Sequence, residues 1–319
     1  MPQLLHRRLA DLEGAESALV LASGRAAVAC TALALLRPGD HLLACTWLRD
    51  DTRRFFEQEL PALGVQVTYV DPRETRSWRR GLTRTTRVLY VESPVLESGR
   101  LVDLKAPRTL AQELGLALIV DASAASPVHF TPIAHGADIV LHDASIFLDG
   151  QPDGNTGVVA GTDGLVEEVR LKMEMWGGVP HALACAQLER SLATLHVRVE
   201  RQTATAGQLA HWAPQHPAVR DVLYAGLPSH PDHAVLDDYM TGAGAMLQLQ
   251  LTGDHDVERV ASMASSLMAG EARMGSMITQ VTPGAVPGWV RIHVGLEPFE
   301  AITAALSAAF TRTATPTGA

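Results

Sequence analysis

The chain has 319 residues, 47% of them hydrophobic, enough for one large domain or two of ordinary size with a sizeable core. A net charge of -9 and a pI near 5.8 argue against nucleic acid or an anionic membrane as the main partner, because both select basic surfaces. The three cysteines, Cys30, Cys45 and Cys185, are odd in number and lack CxxC spacing, which indicates neither a disulfide framework nor a structural zinc site.

In chain order, the opening stretch MPQLLHRRLADLEG is charged by its seventh residue and has no apolar core with a cleavage site. No uncharged apolar run reaches transmembrane length, so a soluble cytoplasmic protein is expected. LVLASGRAAV then places a Ser23-Gly24 turn before a helix, where exposed N–H groups form an anion site, although such a turn is more often only a tight connection. RAAVACTALALLRPGD reads as a helix with a Pro-Gly stop. HLLAC, VQVTYVD, RVLYVESP, LALIVDAS, ADIVLHD and TGVVAG read as buried strands, with helical stretches such as TRRFFEQELPALG and APRTLAQELG between several of them. Strands alternating with helices predict a mostly parallel sheet covered on both faces.

After VVAG the pattern changes to helices, DGLVEEVRLKMEM and then ALACAQLERSLATLHVRVERQTATAGQLAHWAPQ, far longer than the average helix and of a kind that spans two domains. Strands at AMLQLQLTG and WVRIHVGL, the helix DVERVASMASSLM and a closing PFEAITAALSAAF predict a smaller α+β domain. The expected division is residues 1–195 as the large α/β domain, 196–312 as the C-terminal domain and 313–319 as a disordered tail.

In a parallel α/β sheet, ligands bind beyond the carboxyl ends of the strands. Those ends present Ser23-Gly24-Arg25, Trp47 to Asp51, Glu92-Ser93-Pro94, Asp121-Ala122-Ser123 and His142 to Ile146. Taken alone, Asp121 is more often a turn or cap residue than a catalytic one. His129, His135, His142 and His293 show no metal-ligand spacing and read as structural, so no metal site is expected. GxSxG, P-loop and GxGxxG patterns are absent.

The order of the pieces EGAESALVLASGRAAV, RPGDHLLA, VQVTYVDP, RVLYVESP, LALIVDAS, GADIVLHDAS, DVLYAGLPSHPDH and VRIHVGLE resembles the Cys/Met-metabolism family of pyridoxal-phosphate enzymes, the cystathionine γ-synthase and γ-lyase group. The resemblance runs in register from about Leu9 to Phe310 and implies the type I aspartate aminotransferase fold: a mostly parallel sheet flanked by helices, plus a smaller C-terminal α+β domain. It implies that Ser23, Gly24 and Arg25 form the phosphate-binding loop and that Asp121 keeps the pyridine nitrogen protonated, making the ring an electron sink. By the same resemblance Ser123 is the small hydroxyl residue near the ring, and Arg291 grips the substrate α-carboxylate.

The departures from the family pattern carry as much information. Its Ser-Ala-Thr-Lys falls on Asp143-Ala144-Ser145-Ile146, so the Schiff-base lysine position holds Ile146, which has no amine. Ser145 remains part of a vestigial cofactor site, but Asp143 puts a carboxylate where a serine should touch phosphate. Two such anions repel by roughly 4 kcal/mol at about 4 Å at a surface-like effective dielectric. The ring-stacking tyrosine falls on Arg49, an asparagine on Leu96, and the serine beside the substrate carboxylate on Arg273. An N-terminal arm that contacts a neighbouring subunit's cofactor phosphate is expected to be missing, as is a segment between Pro283 and Trp289. Lys105 and Lys172, the only lysines, read as solvated surface residues.

The first expectation is therefore a non-catalytic pseudoenzyme without covalent pyridoxal phosphate and with non-covalent binding disfavoured. It would act as a homo-oligomer, at least a dimer, or pair with a lysine-containing relative. The second is an enzyme working without the cofactor, in which Arg25, Arg49, Asp121, Asp143, Arg273 and Arg291 hold an anionic or amino-acid-like ligand. There Arg291, Arg273 and Arg49 would bind a small carboxylate, with Asp143 or Arg49 at the chemistry. The third is ordinary cofactor-dependent lyase or synthase chemistry on sulfur amino acids, which needs a lysine elsewhere than Ile146. No nucleic acid, membrane or metal enters any of these readings.

Overall fold

Short apolar runs become the strands β1 (Ser17–Leu21), β2 (His41–Cys45), β3 (Gln66–Val70), β4 (Thr86–Glu92), β5 (Ala117–Asp121), β6 (Ile139–Asp143) and β7 (Gly157–Gly161) in the computed structural model, which describes residues 2–151, 154–253, 256–268 and 275–313. They form one sheet in the order β1-β7-β6-β5-β4-β2-β3. Only β7 runs against the others among the described residues. The central strands are buried nearly end to end, as a sheet covered on both faces requires.

The intervening helices are α1 (Pro2–Glu13), α2 (Gly24–Leu35), α3 (Asp50–Arg54), α4 (Leu60–Ala62), α5 (Thr75–Arg80), α6 (Lys105–Leu114) and α7 (Asp163–Trp176). Ser23 starts α2 as its cap: extended itself, it accepts a hydrogen bond from the Ala26 amide at 3.1 Å. Between α3 and α4 the backbone takes a π-helical turn over Phe55–Glu59. Pro61 explains it, because a proline lacks the N–H and its ring crowds the carbonyl one turn back, so the ladder widens before it. Phe56 is thereby fully buried edge-on against Tyr90, with ring centroids 4.9 Å apart.

The long helix predicted from Ala182 is two helices, α8 (Ala182–Leu192) and α9 (Leu195–Trp212), broken at Ala193-Thr194. The break is satisfied by Arg198, whose guanidinium donates to the Ser191 carbonyl and the Thr194 hydroxyl, each at 3.1 Å. Beyond it lie α10 (His233–Tyr239), α11 (Val257–Leu267), α12 (Phe299–Thr313) and an antiparallel sheet of β8 (Val219–Leu223), β9 (Met246–Leu251), β10 (Gln280–Pro283) and β11 (Trp289–His293), ordered β10-β11-β9-β8. Residues 314–319, most of the predicted tail, lie outside the described residues.

Two large apolar clusters result. One takes in both faces of the central strands of the first sheet together with α2, α6 and α7. The other joins α1, the stretch from Ile146 to Leu148, α8, α9 and the second sheet, so the segment after β6 is shared between the two sheets. No helix among the described residues is long and apolar enough to cross a membrane.

Candidate functional site

The parallel strands deliver Arg49, Glu92, Asp121 and Asp143 to one end of the sheet, just past β2 and at the last residues of β4, β5 and β6. The β4–β5 register sets Glu92 opposite Asp121. Ser123 ties the next two strands together: its hydroxyl donates to Asp121 Oδ1 at 2.5 Å and accepts from the Asp143 amide at 2.7 Å. Asp121 also accepts from the Ser123 amide at 3.0 Å and from the Tyr90 hydroxyl at 3.3 Å.

Asp143 is the centre of a second set of bonds. One oxygen accepts from the Ser145 hydroxyl at 2.5 Å and the Ser145 amide at 3.3 Å. The other faces Arg49 Nη2 at 3.3 Å, and the same nitrogen lies 3.1 Å from Asp51 Oδ2. The Asp143 side chain rests directly on Gly24; a Cβ added there would come within 2.7 Å of both the Cβ and the Cγ of Asp143. Only glycine fits beneath it.

Charge in this cluster is lopsided. Burial alone would pull the Arg49 guanidinium down, but Asp121, Asp143, Asp51 and Glu92 around it hold it above its ordinary value. Glu92 accepts from the Arg49 amide at 2.8 Å and the Leu96 amide at 3.3 Å. Burial, then the neighbouring Asp121, push its carboxyl well above the usual range. Burial and the same two carboxylates raise the Tyr90 phenol. The remaining space is a cavity of about 120 Å³ bordered by Gly24, Arg49, Phe55, Asp121, Leu141 and Asp143.

The structure thus brings together Ser23, Gly24, Arg25, Arg49, Asp121, Ser123, Asp143 and Ser145. Of these Arg25 stands at the rim, its side chain 83% exposed and 3.6 Å from Asp51. Arg291 is not at this cavity. It sits on β11 and donates to the Glu97 carbonyl at 3.1 Å and the Thr282 hydroxyl at 3.3 Å. Arg273 lies outside the described residues. Ile146 is 5% exposed and belongs to the apolar cluster shared with the second sheet. Lys105 and Lys172 stand on α6 and α7, away from the cavity lining.

Asp51, Glu92 and Tyr90 are site residues to which the sequence alone assigns no role. Asp51 and Glu92 stand among the strand-end residues, which was their signal; Tyr90, in mid-strand, offers none. Among the described residues no group of three His, Cys, Asp or Glu side chains is placed to hold a metal ion.

A family model described as Cys/Met metabolism PLP-dependent enzyme matches residues 1–311. Cystathionine gamma-synthase 1, chloroplastic, of Nicotiana tabacum is 36% identical over 252 residues, which cover 79% of this chain and 47% of the tobacco protein. L-methionine gamma-lyase of Pseudomonas putida is 32% identical over 320 residues, covering 94% of this chain and 80% of that enzyme. Cystathionine beta-lyase of Coxiella burnetii is 32% identical over 311 residues, covering 91% and 80%. The chain spans about half the length of the two chloroplastic synthases it matches. The sheet topology, the residues gathered at its carboxyl end and these matches lead to one conclusion: the chain belongs to the Cys/Met metabolism family of pyridoxal-phosphate-dependent transsulfuration enzymes.

Proposed function

We propose that this chain is a member of the family without Schiff-base catalysis, serving as a binding or partner subunit. The observation that carries the reading is Asp143 seated on Gly24 and ion-paired with Arg49. Where a phosphate group would need the Ser145 hydroxyl and the N–H groups of the Ser23-Gly24 turn, a carboxylate already takes the Ser145 hydrogen bonds and would repel a second anion. The residues present do not fit the cofactor in two further respects. Ile146 supplies no amine, and a cavity of about 120 Å³ is well under the roughly 300–1,000 Å³ typical of small-molecule sites. The Arg291 side chain, tied to a loop carbonyl and a hydroxyl, supports a structural part for that residue rather than a ligand anchor.

The partner in this reading is a second copy of the chain. Leu171, Met175 and Trp176 on and at the end of α7, Val179 in the connection and Leu183 on α8 are each more than half exposed. Large apolar side chains exposed together over so short a stretch of sequence support an interaction surface there.

Incubation of the purified protein with pyridoxal phosphate and either L-cystathionine or L-methionine tests the catalytic half of the proposal. No keto-acid release is expected. Sustained turnover would overturn the reading, as would a borohydride-trapped cofactor adduct mapped to the pocket.

A further inference from the structure

Helices α5 and α6 lie side by side and wall a groove of about 710 Å³ that is separate from the site above and lined by Thr75, Arg76, Arg79, Arg80, Lys105 and Thr109. In a chain with a net charge of -9, four cations on one groove reverse the overall sign. Arg79 and Arg80 are paired, with Glu113 at 2.5 Å and Glu74 at 2.9 Å. Neither Arg76 nor Lys105 has a carboxylate within 4.0 Å among the described residues. Asp103, the acidic residue on the lining, is engaged by the Lys105 amide at 2.8 Å and the Tyr239 hydroxyl at 2.6 Å.

Arg79 and Arg80 serve the fold through their ion pairs, but the placement of Arg76 and Lys105 does not. Arg76 is the second residue of α5 and Lys105 the first of α6, where the helix dipole disfavours a positive charge. Arg76, Arg79 and Arg80 are spaced three and four apart, so like charges stack on one helix face. An anion in the groove relieves both. The two helices follow β3 and β4, so the groove begins at the same carboxyl edge of the parallel strands at which open α/β sheets take their ligands.

We infer that this groove is a binding site for a small molecule carrying adjacent phosphoryl groups. Arg76 and Lys105 supply free donors, and Arg79 and Arg80 reach the same anion from their exposed carboxylate partners. The volume lies within the roughly 300–1,000 Å³ of small-ligand sites. Ala106 and Leu110 give a short apolar floor, and no aromatic ring lines the groove for a nucleobase to stack on. The negative charge elsewhere on the molecule favours a compact polyanion over a nucleic acid strand.

The test is titration calorimetry of the full chain with inorganic pyrophosphate, comparing wild type with the Arg76→Gln/Lys105→Gln double variant and with Arg84→Gln, an exposed arginine outside the groove. All three positions are exposed, and unchanged melting temperatures without ligand confirm that the variants fold. Saturable binding is expected in wild type and in Arg84→Gln, with affinity lost by about tenfold or more in the double variant. Sulfate at matched ionic strength is expected not to compete. The inference is overturned by absence of saturable binding in wild type, by equal weakening in Arg84→Gln, by full retention in the double variant, or by displacement with sulfate.

Discussion

Asp143 lies on Gly24 so closely that a Cβ at position 24 would come within 2.7 Å of its Cβ and Cγ and 2.9 Å of its Cα. The last of these atoms is backbone and cannot swing aside. Gly24→Ala is therefore expected to lower stability by about 1–3 kcal/mol, read as a drop in melting temperature. The loss should persist in an Asp143→Ser background, which keeps the Cα and Cβ. An unchanged melting temperature would show that the strand end is free to move off the turn.

Arg49 is the shared cation of Asp51 and Asp143, with side-chain exposures of 14%, 29% and 19%. Arg49→Met leaves those carboxylates facing one another with Asp121 and Glu92 behind them. Denaturant unfolding is expected to show a loss of about 3 kcal/mol. Asp143→Ser added to Arg49→Met should recover about 1 kcal/mol of it, because the second change removes one of the stranded charges. Strict additivity of the two substitutions would count against a coupled cluster.

His230 predicts a pH dependence. Burial pulls its imidazole down to about 4, and its Nδ1 accepts a hydrogen bond from the Asp232 amide at 3.1 Å, which only the neutral ring can do. A base depressed in the folded state is protonated first in the unfolded chain. Stability is therefore full above the unfolded value near pH 6.5 and falls as the pH drops towards about 4, by at most about 1.4 kcal/mol per pH unit. His293 acts in the same direction, lowered by burial and then by Arg291. His230→Asn should flatten the melting-temperature profile between about pH 7 and pH 5. A variant profile parallel to wild type assigns the acid sensitivity elsewhere.

Trp176 and Met175 carry the assembly proposal, at 61% and 81% exposed. Light scattering of the wild type is expected to give the mass of at least a dimer, and Met175→Glu/Trp176→Glu a monomer of unchanged helix content. Co-expression with a lysine-containing relative adds a second readout. A monomeric wild type that captures the relative would replace the second copy with a different partner, and one that captures nothing would end the proposal.

The strands β2 and β4 to β7 are legible in the sequence because each is built on a short apolar run, the signature of burial on both faces, whereas β3, also expected to be buried, is an edge strand of which only Val70 is buried. By contrast β8 has Arg220 and Asp221 exposed in its middle, and β10 is a short edge strand that ends on Pro283. Neither offers a periodicity to read. The break at Ala193-Thr194 was hidden because the side chain that satisfies it, Arg198, comes later in what looks like one unbroken helical pattern. At the site, residues at the ends of adjacent strands could be gathered by topology alone. Arg291 could not be placed, since its acceptor is the carbonyl of Glu97, 194 positions away, on a loop whose path no local pattern dictates.

Arg198 does more than mend a helix break. It also donates to the carbonyls of Phe147 at 2.9 Å and Leu148 at 3.1 Å, and a Cβ on Gly150 would lie 2.3 Å from its Nη1. Within the same stretch the Asp149 amide bonds back to the Ala144 carbonyl at 2.7 Å. Irregular segments beside a cavity ordinarily open on their own, well before the rest of the molecule. Here the amides from Ile146 to Asp149 share their opening with α9, and their deuterium uptake should keep pace with the slowest-exchanging helix rather than with the surface turns. The segment that joins the two sheets is thus expected to be among the last parts of the molecule to come undone.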